Sequence, residues 1–98
     1  MCARINPAPF LHSMYHVYIL KSKTDDSLYV GYTNDIERRL NEHNKGSVEY
    51  TQKRKPWKLA YYETFTSLED ARTREKNLKY FGKAFGQLKR RIKNSLNK

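Results

Sequence analysis

The sequence predicts an α+β domain in which helices flank a three-stranded antiparallel sheet, in the order β-β-α-β-α-α. Two runs of β-branched and aromatic residues follow each other across a short polar turn, and a third comes after position 56. Helix-capping residues and apolar positions three or four apart mark the remaining segments. The 98 residues are enough for one such domain and too few for two cores.

The predicted strands cover residues 14–21, 28–32 and 57–64. Residues 24–27 between the first two are short and polar, and such side chains bond to their own backbone in turns. Because this gap is short, the first two strands are expected to form an antiparallel hairpin.

The first predicted helix begins at Asn34 as its cap, with Glu37 as the reciprocal partner of a capping box. It runs to about Asn44, where a lysine and a glycine end it. Residues 45–56 are rich in lysine and arginine and are predicted to form a mobile basic loop.

The second predicted helix is capped by Ser67, with Asp70 at the supporting position, and runs to about Phe81. Gly82 is expected to break it. A final basic helix is predicted over residues 85–96.

The charge distribution predicts a polyanionic partner. The chain has 20 Lys and Arg against 10 Asp and Glu, a formal net charge of +10. Residues 72–98 contain ten basic residues and one acidic residue, whereas residues 1–71 contain ten and nine. Clustered cations release condensed counterions when they meet phosphates, so nucleic acid is the expected partner. A solvated basic surface or attraction to anionic lipid are the alternatives.

Several classes of protein are excluded by composition. The only cysteine is Cys2, so neither an intrachain disulfide nor a cysteine-rich zinc site is expected. No apolar run approaches the roughly 20 residues of a membrane span, and residues 1–13 lack the apolar stretch of a signal peptide. We therefore expect a cytoplasmic protein with a disordered leader at 1–13 and one domain at 14–98.

Charged and polar residues fall on faces that should be apolar. Ile36 and Leu40 mark the side of the first helix that faces the sheet, and Arg39 and His43 lie on that same side. A charge on a core face is costly unless it is paired or binds a metal.

Glu75 raises the same question in the second helix. It lies within the apolar stripe formed by Leu68, Ala71 and Leu78. One interpretation is structural, in which Glu75 pairs with Arg39 and joins two helices, or the stripes are rotated by one residue. The other is a functional site.

Five short motifs occur in order along these elements. They are Val17-Tyr18-Ile19, Tyr29-Val30-Gly31, residues 34–40 with Arg39, Glu42-His43-Asn44 and residues 74–79 with Glu75. Together they resemble the GIY-YIG nuclease superfamily, and most closely its small standalone single-domain proteins. The resemblance covers about residues 14–85. The sequence departs from the pattern at His16, where the first motif usually opens with glycine.

The resemblance implies roles for four residues around an attacking water. Tyr18 matches the tyrosine that activates or positions the water, and Tyr29 matches one that orients the water and the scissile phosphate. Gly31 matches a glycine that lets the backbone come close, and His43 a histidine used beside the tyrosine in some members. Tyr ordinarily titrates near pH 10, so a base role for Tyr18 needs help from its surroundings. Whether Tyr18 or a metal-bound hydroxide takes the proton stays open.

Two further residues are implied to act on the phosphate. Arg39 matches the arginine that neutralises it in the transition state, and Glu75 matches the glutamate that holds a single divalent cation, Mg²⁺ or Mn²⁺. An arginine can contact two phosphate oxygens at once. A lone carboxylate suits Mg²⁺, which keeps several of its waters.

The predicted function is therefore a metal-dependent endonuclease with little sequence specificity, whose expected substrate is DNA rather than RNA. Its candidate phosphate-binding cations lie in the 45–56 loop and the last helix: Lys53, Arg54, Lys55, Lys89, Arg90, Arg91 and Lys93. The alternatives are a non-catalytic nucleic-acid-binding module and an adaptor of a DNA-repair complex. The oligomeric state is not predicted.

Overall fold

A computed structural model describes residues 14–98 and has the predicted α+β architecture. The predicted leader at 1–13 and Cys2 lie outside the described residues. In chain order, the elements are β1 (Tyr15–Ser22), β2 (Leu28–Thr33), α1 (Ile36–Asn44), a 3₁₀ turn (Gln52–Arg54), β3 (Trp57–Phe65), α2 (Leu68–Tyr80), α3 (Gly82–Arg91) and α4 (Lys93–Leu96). Within residues 14–98, no helix has the length and apolar character that a membrane span requires.

The sheet has the order β2-β1-β3 with both pairings antiparallel, so β1 is central and β2 is an open edge. In this register Tyr18 lies opposite Gly31, and Leu20 lies opposite Tyr29. Directly opposite residues share a face of the sheet. The two family tyrosines are therefore on the same face.

The two faces of the sheet carry separate apolar clusters. On one face, Val17 and Ile19 of β1 pack with α2, α3 and Ile92. On the other, Tyr18, Leu20 and Trp57 pack with Leu40 of α1. The alternation of side chains along β1 produces this division. The sheet is thus covered on both sides, with α1 on the side of the tyrosines.

The predicted stripes of the helices are partly confirmed. Ala71 and Leu78 are buried, and Leu40 packs on the sheet as expected. The prediction for Leu68 was wrong: its side chain is 38% exposed. It is the first residue of α2, and it lines a surface groove with Tyr15 and Tyr32.

The predicted N-cap residue of the first helix is wrong, and that of the second helix is confirmed. Asp35, not Asn34, caps α1, because its Oδ1 accepts the Arg38 backbone N–H at 3.1 Å. Asn34 Oδ1 instead accepts from the Arg38 side chain at 3.2 Å, and Glu37, the expected capping-box partner, is exposed. Ser67 caps α2 as predicted, accepting the Asp70 N–H at 3.3 Å.

The C-terminal helix predicted over 85–96 is two helices. Gly82 begins α3, so the break falls one residue earlier, at the extended Phe81. A second break at Ile92 separates α3 from α4. Ile92 is buried in the core, so the chain leaves helical geometry where that side chain packs inward.

Residues 45–56, which were predicted to form a mobile loop, are mostly exposed but are anchored at Thr51 and at the β1–β2 turn. Thr51 is fully buried, and its carbonyl accepts the Trp57 indole N–H at 2.9 Å. Thr24 Oγ1 donates to the Lys55 carbonyl at 2.8 Å, which ties the segment to the β1–β2 turn. The segment is therefore able to hold a side chain in a defined place.

Candidate active site

A line of hydrogen bonds runs from the 45–56 segment to the centre of the sheet. Thr51 Oγ1 lies 2.7 Å from His43 Nδ1, and His43 Nε2 lies 3.0 Å from the Tyr18 hydroxyl. The Thr51 hydroxyl donates to the Val48 carbonyl at 3.3 Å, so it accepts from Nδ1–H of His43. This network assigns the proton to Nδ1 and leaves Nε2 to accept from Tyr18.

Burial sets the protonation states of both rings. It lowers the pKa of His43 to about 4, with the Arg39 charge acting in the same direction and Glu42 opposing it. It also raises the pKa of Tyr18 to about 12, while the Arg39 guanidinium offsets part of that rise. At neutral pH the pair is therefore a neutral imidazole accepting from a neutral phenol.

Tyr29 packs beside this pair. Its ring centroid lies 4.9 Å from that of His43 and 6.2 Å from that of Tyr18. Trp57 closes the other side of Tyr29, with its centroid 6.3 Å away. Edge-to-face packing of this kind fixes ring orientations.

Gly31 provides the space for the Tyr18 hydroxyl. A Cβ at Gly31 would lie 2.5 Å from Tyr18 Oη and 3.0 Å from Tyr29 Cε2. Any other residue would displace the hydroxyl or the strand. This packing role comes in addition to the close backbone approach that the family resemblance implies.

Arg39 lies on α1 at the rim of the site. Its Nη1 donates to Glu42 Oε1 at 2.9 Å, and the side chain remains about one-third exposed. The carboxylate of Glu42, whose pKa this contact lowers, orients the guanidinium. Arg39 is therefore both positioned and reachable from solvent.

Glu75 lies on α2, which packs on the opposite face of the sheet and contacts both β1 and β2. Its Oε2 lies 2.9 Å from Lys79 Nζ, and only 17% of its side chain is exposed. The same Nζ lies 5.5 Å from the centre of the Tyr29 ring. The structural alternative of a Glu75–Arg39 pair is wrong, since each has a different partner within 4 Å.

Glu75 is suited to hold a divalent cation. Its carboxylate lines a cleft of about 550 Å³ and is balanced by a single flexible ammonium. Within residues 14–98, no group of three or more His, Cys, Asp and Glu is placed to surround a metal. A single carboxylate is enough for Mg²⁺, which takes its remaining ligands from water and phosphate.

Three residues of the site were missed from the sequence. Thr51 and Glu42 orient His43 and Arg39, and Lys79 balances Glu75. Glu42 and Lys79 had a visible signal, because they follow Arg39 and Glu75 by three and four positions on a helix. Thr51 lies in a segment with no regular pattern.

The predicted phosphate-binding cations are all exposed and lie on two segments: Lys53, Arg54, Lys55, Lys89, Arg90, Arg91 and Lys93. Arg54 Nε lies 3.4 Å from Asp25 Oδ2, and Lys89 Nζ lies 4.8 Å from the Phe85 ring centre. Their part in binding stays a prediction.

Comparison with known proteins gives consistent matches. Residues 14–84 match the family described as the GIY-YIG catalytic domain. A UPF0213 protein of Clostridium perfringens is 48% identical over 67 residues, which are 67% of this chain and 71% of that protein. One from Haloquadratum walsbyi is 40% identical over 72 residues, 72% of this chain and 80% of that one. The solution NMR structure of a UPF0213 protein from Bacillus halodurans is 39% identical, covers 69% of this chain and 72% of its own, and has a TM-score of 0.45.

Proposed function

Because the chain belongs to the GIY-YIG catalytic domain family, we propose that it is a metal-dependent endonuclease that hydrolyses phosphodiester bonds in nucleic acid. We propose DNA in preference to RNA, with little sequence specificity. Family membership supports a nuclease-type function. The observation that carries the proposal is the 3.0 Å contact between Tyr18 and His43, because it places the phenolic hydroxyl against an imidazole nitrogen that can accept its proton.

The pair is suited to remove a proton from an attacking water. Tyr18 keeps its proton at neutral pH, so it can accept another only while it gives its own to His43 Nε2. The proton leaving water thus ends on Tyr18 and the former phenolic proton ends on His43, so a free phenolate need not form. Meanwhile the water oxygen bonds to phosphorus, and the leaving oxygen departs with its electron pair and takes a proton from solvent.

Arg39 supplies the charge that this step needs. A guanidinium contacts two phosphate oxygens at once, and negative charge builds on those oxygens in the transition state. Glu42 holds Arg39 at 2.9 Å and restricts its motion. A phosphate bound by Arg39 would also raise the proton affinity of the nearby His43, which makes that imidazole a better acceptor.

Glu75 is the proposed ligand of a divalent cation, Mg²⁺ or Mn²⁺. When bound, the ion would supply charge stabilisation for the phosphate oxygens. Lys79 neutralises Glu75 at 2.9 Å, so the ammonium and a cation compete for the same carboxylate. Lys79 already lies beside Tyr29 and can move without leaving the site.

The test combines cleavage with metal binding. Purified protein is incubated with supercoiled plasmid and labelled single-stranded and branched DNA, in Mg²⁺, Mn²⁺ or EDTA, and Mn²⁺ affinity is measured by electron paramagnetic resonance. We expect cutting that requires the metal and falls about 100-fold or more in Glu75→Gln, a loss of about 3 kcal/mol of transition-state stabilisation.

Glu75→Gln and a second variant, Lys79→Met, should shift Mn²⁺ affinity in opposite directions. Glu75→Gln removes the ligand and weakens binding, whereas Lys79→Met removes the competitor and strengthens it. If Lys79→Met leaves the affinity unchanged and Glu75→Gln still cuts, the metal role of Glu75 is wrong. If the wild type binds DNA but cuts no substrate with either metal, the non-catalytic binding module replaces the nuclease.

A further inference from the structure

A surface groove passes alongside the proposed site. Two depressions share Tyr32 as a common wall: one of about 550 Å³ lies between Tyr32 and α2, and one of about 400 Å³ lies between Tyr32 and the start of α1. Arg39 lines the smaller depression and Glu75 the larger one. The groove therefore passes both groups that are proposed to act on the scissile phosphate.

Cations lie along both halves of this groove. Arg72 and Lys76 of α2 line the larger half, and they lie four positions apart, about 6 Å along the helix. Arg38 joins Arg39 in the smaller half. Among residues 14–98, Arg38, Arg72 and Lys76 have no carboxylate within 4 Å. Residues 1–13 contain no acidic side chain.

Besides Glu75, the larger half contains a second negative residue and two aromatic ones. Glu69 lines it at the start of α2, and Tyr32 and Tyr80 have 39% and 72% of their surface exposed. Exposed aromatic rings beside cations are typical of surfaces that contact both the bases and the backbone of nucleic acid. Glu69 would repel a phosphate in its own vicinity, so the cationic contacts should centre on Arg72 and Lys76.

We propose that this groove binds the nucleic-acid strand on both sides of the scissile phosphate. Arg72 and Lys76 bind backbone phosphates on one side, and Arg38 binds one on the other. The inference rests on the proposed nuclease function and adds to it the path of the strand. It assigns binding to cations outside the two basic segments, 53–55 and 89–93, that the sequence singled out.

The salt dependence of binding tests this path. Binding of the full-length protein to labelled duplex and single-stranded DNA is followed by fluorescence anisotropy in EDTA, at several salt concentrations. Each lost phosphate contact should reduce the slope of log K against log salt by about 0.9 on duplex and about 0.7 on single strands. That corresponds to about 15-fold weaker binding per contact on duplex at 50 mM salt, if the ionic contribution is extrapolated to zero at 1 M.

Two matched double variants separate the path from total charge. Arg72→Ala/Lys76→Ala should show the reduced slope. Lys23→Ala/Lys58→Ala removes the same charge at the hairpin end of the sheet and should bind like the wild type. The exchange Arg72→Lys/Lys76→Arg keeps both charges and should keep the slope, which shows that the charges at these two positions set it.

If the two alanine variants have equal slopes of log K against log salt, the proposed strand path through the groove is wrong. A cleavage assay run in parallel keeps the two proposals distinct. If the wild type cuts DNA while the groove variant binds and cuts normally, only the path is wrong. If the wild type neither binds nor cuts, the nuclease proposal itself fails.

Discussion

At the scale of single residues, the site depends on a histidine that burial keeps neutral. His43 is fully buried between Tyr18 and Thr51, and its pKa is lowered to about 4. In the unfolded chain it would titrate near 6.5. Between these two values the unfolded chain binds more protons than the folded one. Stability is therefore full above about pH 6.5 and falls as the pH falls towards 4.

We predict that the free energy of unfolding is about 2 kcal/mol lower at pH 5 than at pH 7.5 from this group alone. Urea unfolding at the two pH values measures it. The control is His43→Gln, which can still accept from Tyr18 but does not titrate. The carboxylates with lowered pKa, Asp25 and Glu42, titrate below this range and leave the comparison clear. An equal pH effect in the variant would show that His43 is not held neutral by the fold.

The sequence identified candidate residues that belong to recognisable motifs, but it did not identify the residues that orient them. Tyr18, Tyr29 and Glu75 follow from motifs whose order and setting are specific. Thr51 does not, because a threonine in an irregular segment looks like any other turn residue until its burial is known. The partners of Arg39 and Glu75 lie three and four positions further along the same helices, a spacing that allows an ion pair but does not specify it.

At the scale of elements, the site combines the two layers that cover the sheet. α1 brings Arg39 and His43 to the tyrosine face, and α2, which packs on the other face, carries Glu75. The strands and the helix types were predictable from periodicity and capping. The helix ends were not, because Asp35 and Asn34 are both good caps and Ile92 interrupts the last helix to pack inward.

Asn44 joins α1 to β3 and so sets the position of His43. Its Oδ1 accepts the Trp57 backbone N–H at 2.6 Å, and its Nδ2 donates to the Trp57 carbonyl at 3.0 Å. We predict that Asn44→Ala lowers the free energy of unfolding by about 2 kcal/mol, because two backbone groups lose their partner. Asn41→Ala, an exposed position on the same helix, should change it by about 0.5 kcal/mol or less. Equal effects in a denaturant titration would contradict this role.

At the scale of the whole molecule, the net charge of +10 favours a polyanionic partner. The sequence located the excess in residues 72–98, but charge counting cannot tell which cations share a groove with Arg39 and Glu75. The packing of α2 beside β2 makes that selection, since it turns Arg72 and Lys76 towards Tyr32. The central claim, however, is that the Tyr18 hydroxyl takes part in activating the attacking water.

The most direct test of that claim is single-turnover DNA cleavage by Tyr18→Phe. The change removes the hydroxyl that contacts His43 Nε2 and leaves the ring in the core. We predict that cleavage falls about 10²- to 10⁴-fold, the usual contribution of a general base. DNA binding should stay within about twofold, because no phosphate-binding charge is lost. Cleavage at the wild-type rate would contradict the account, since Tyr18 would then take no part in activating the water.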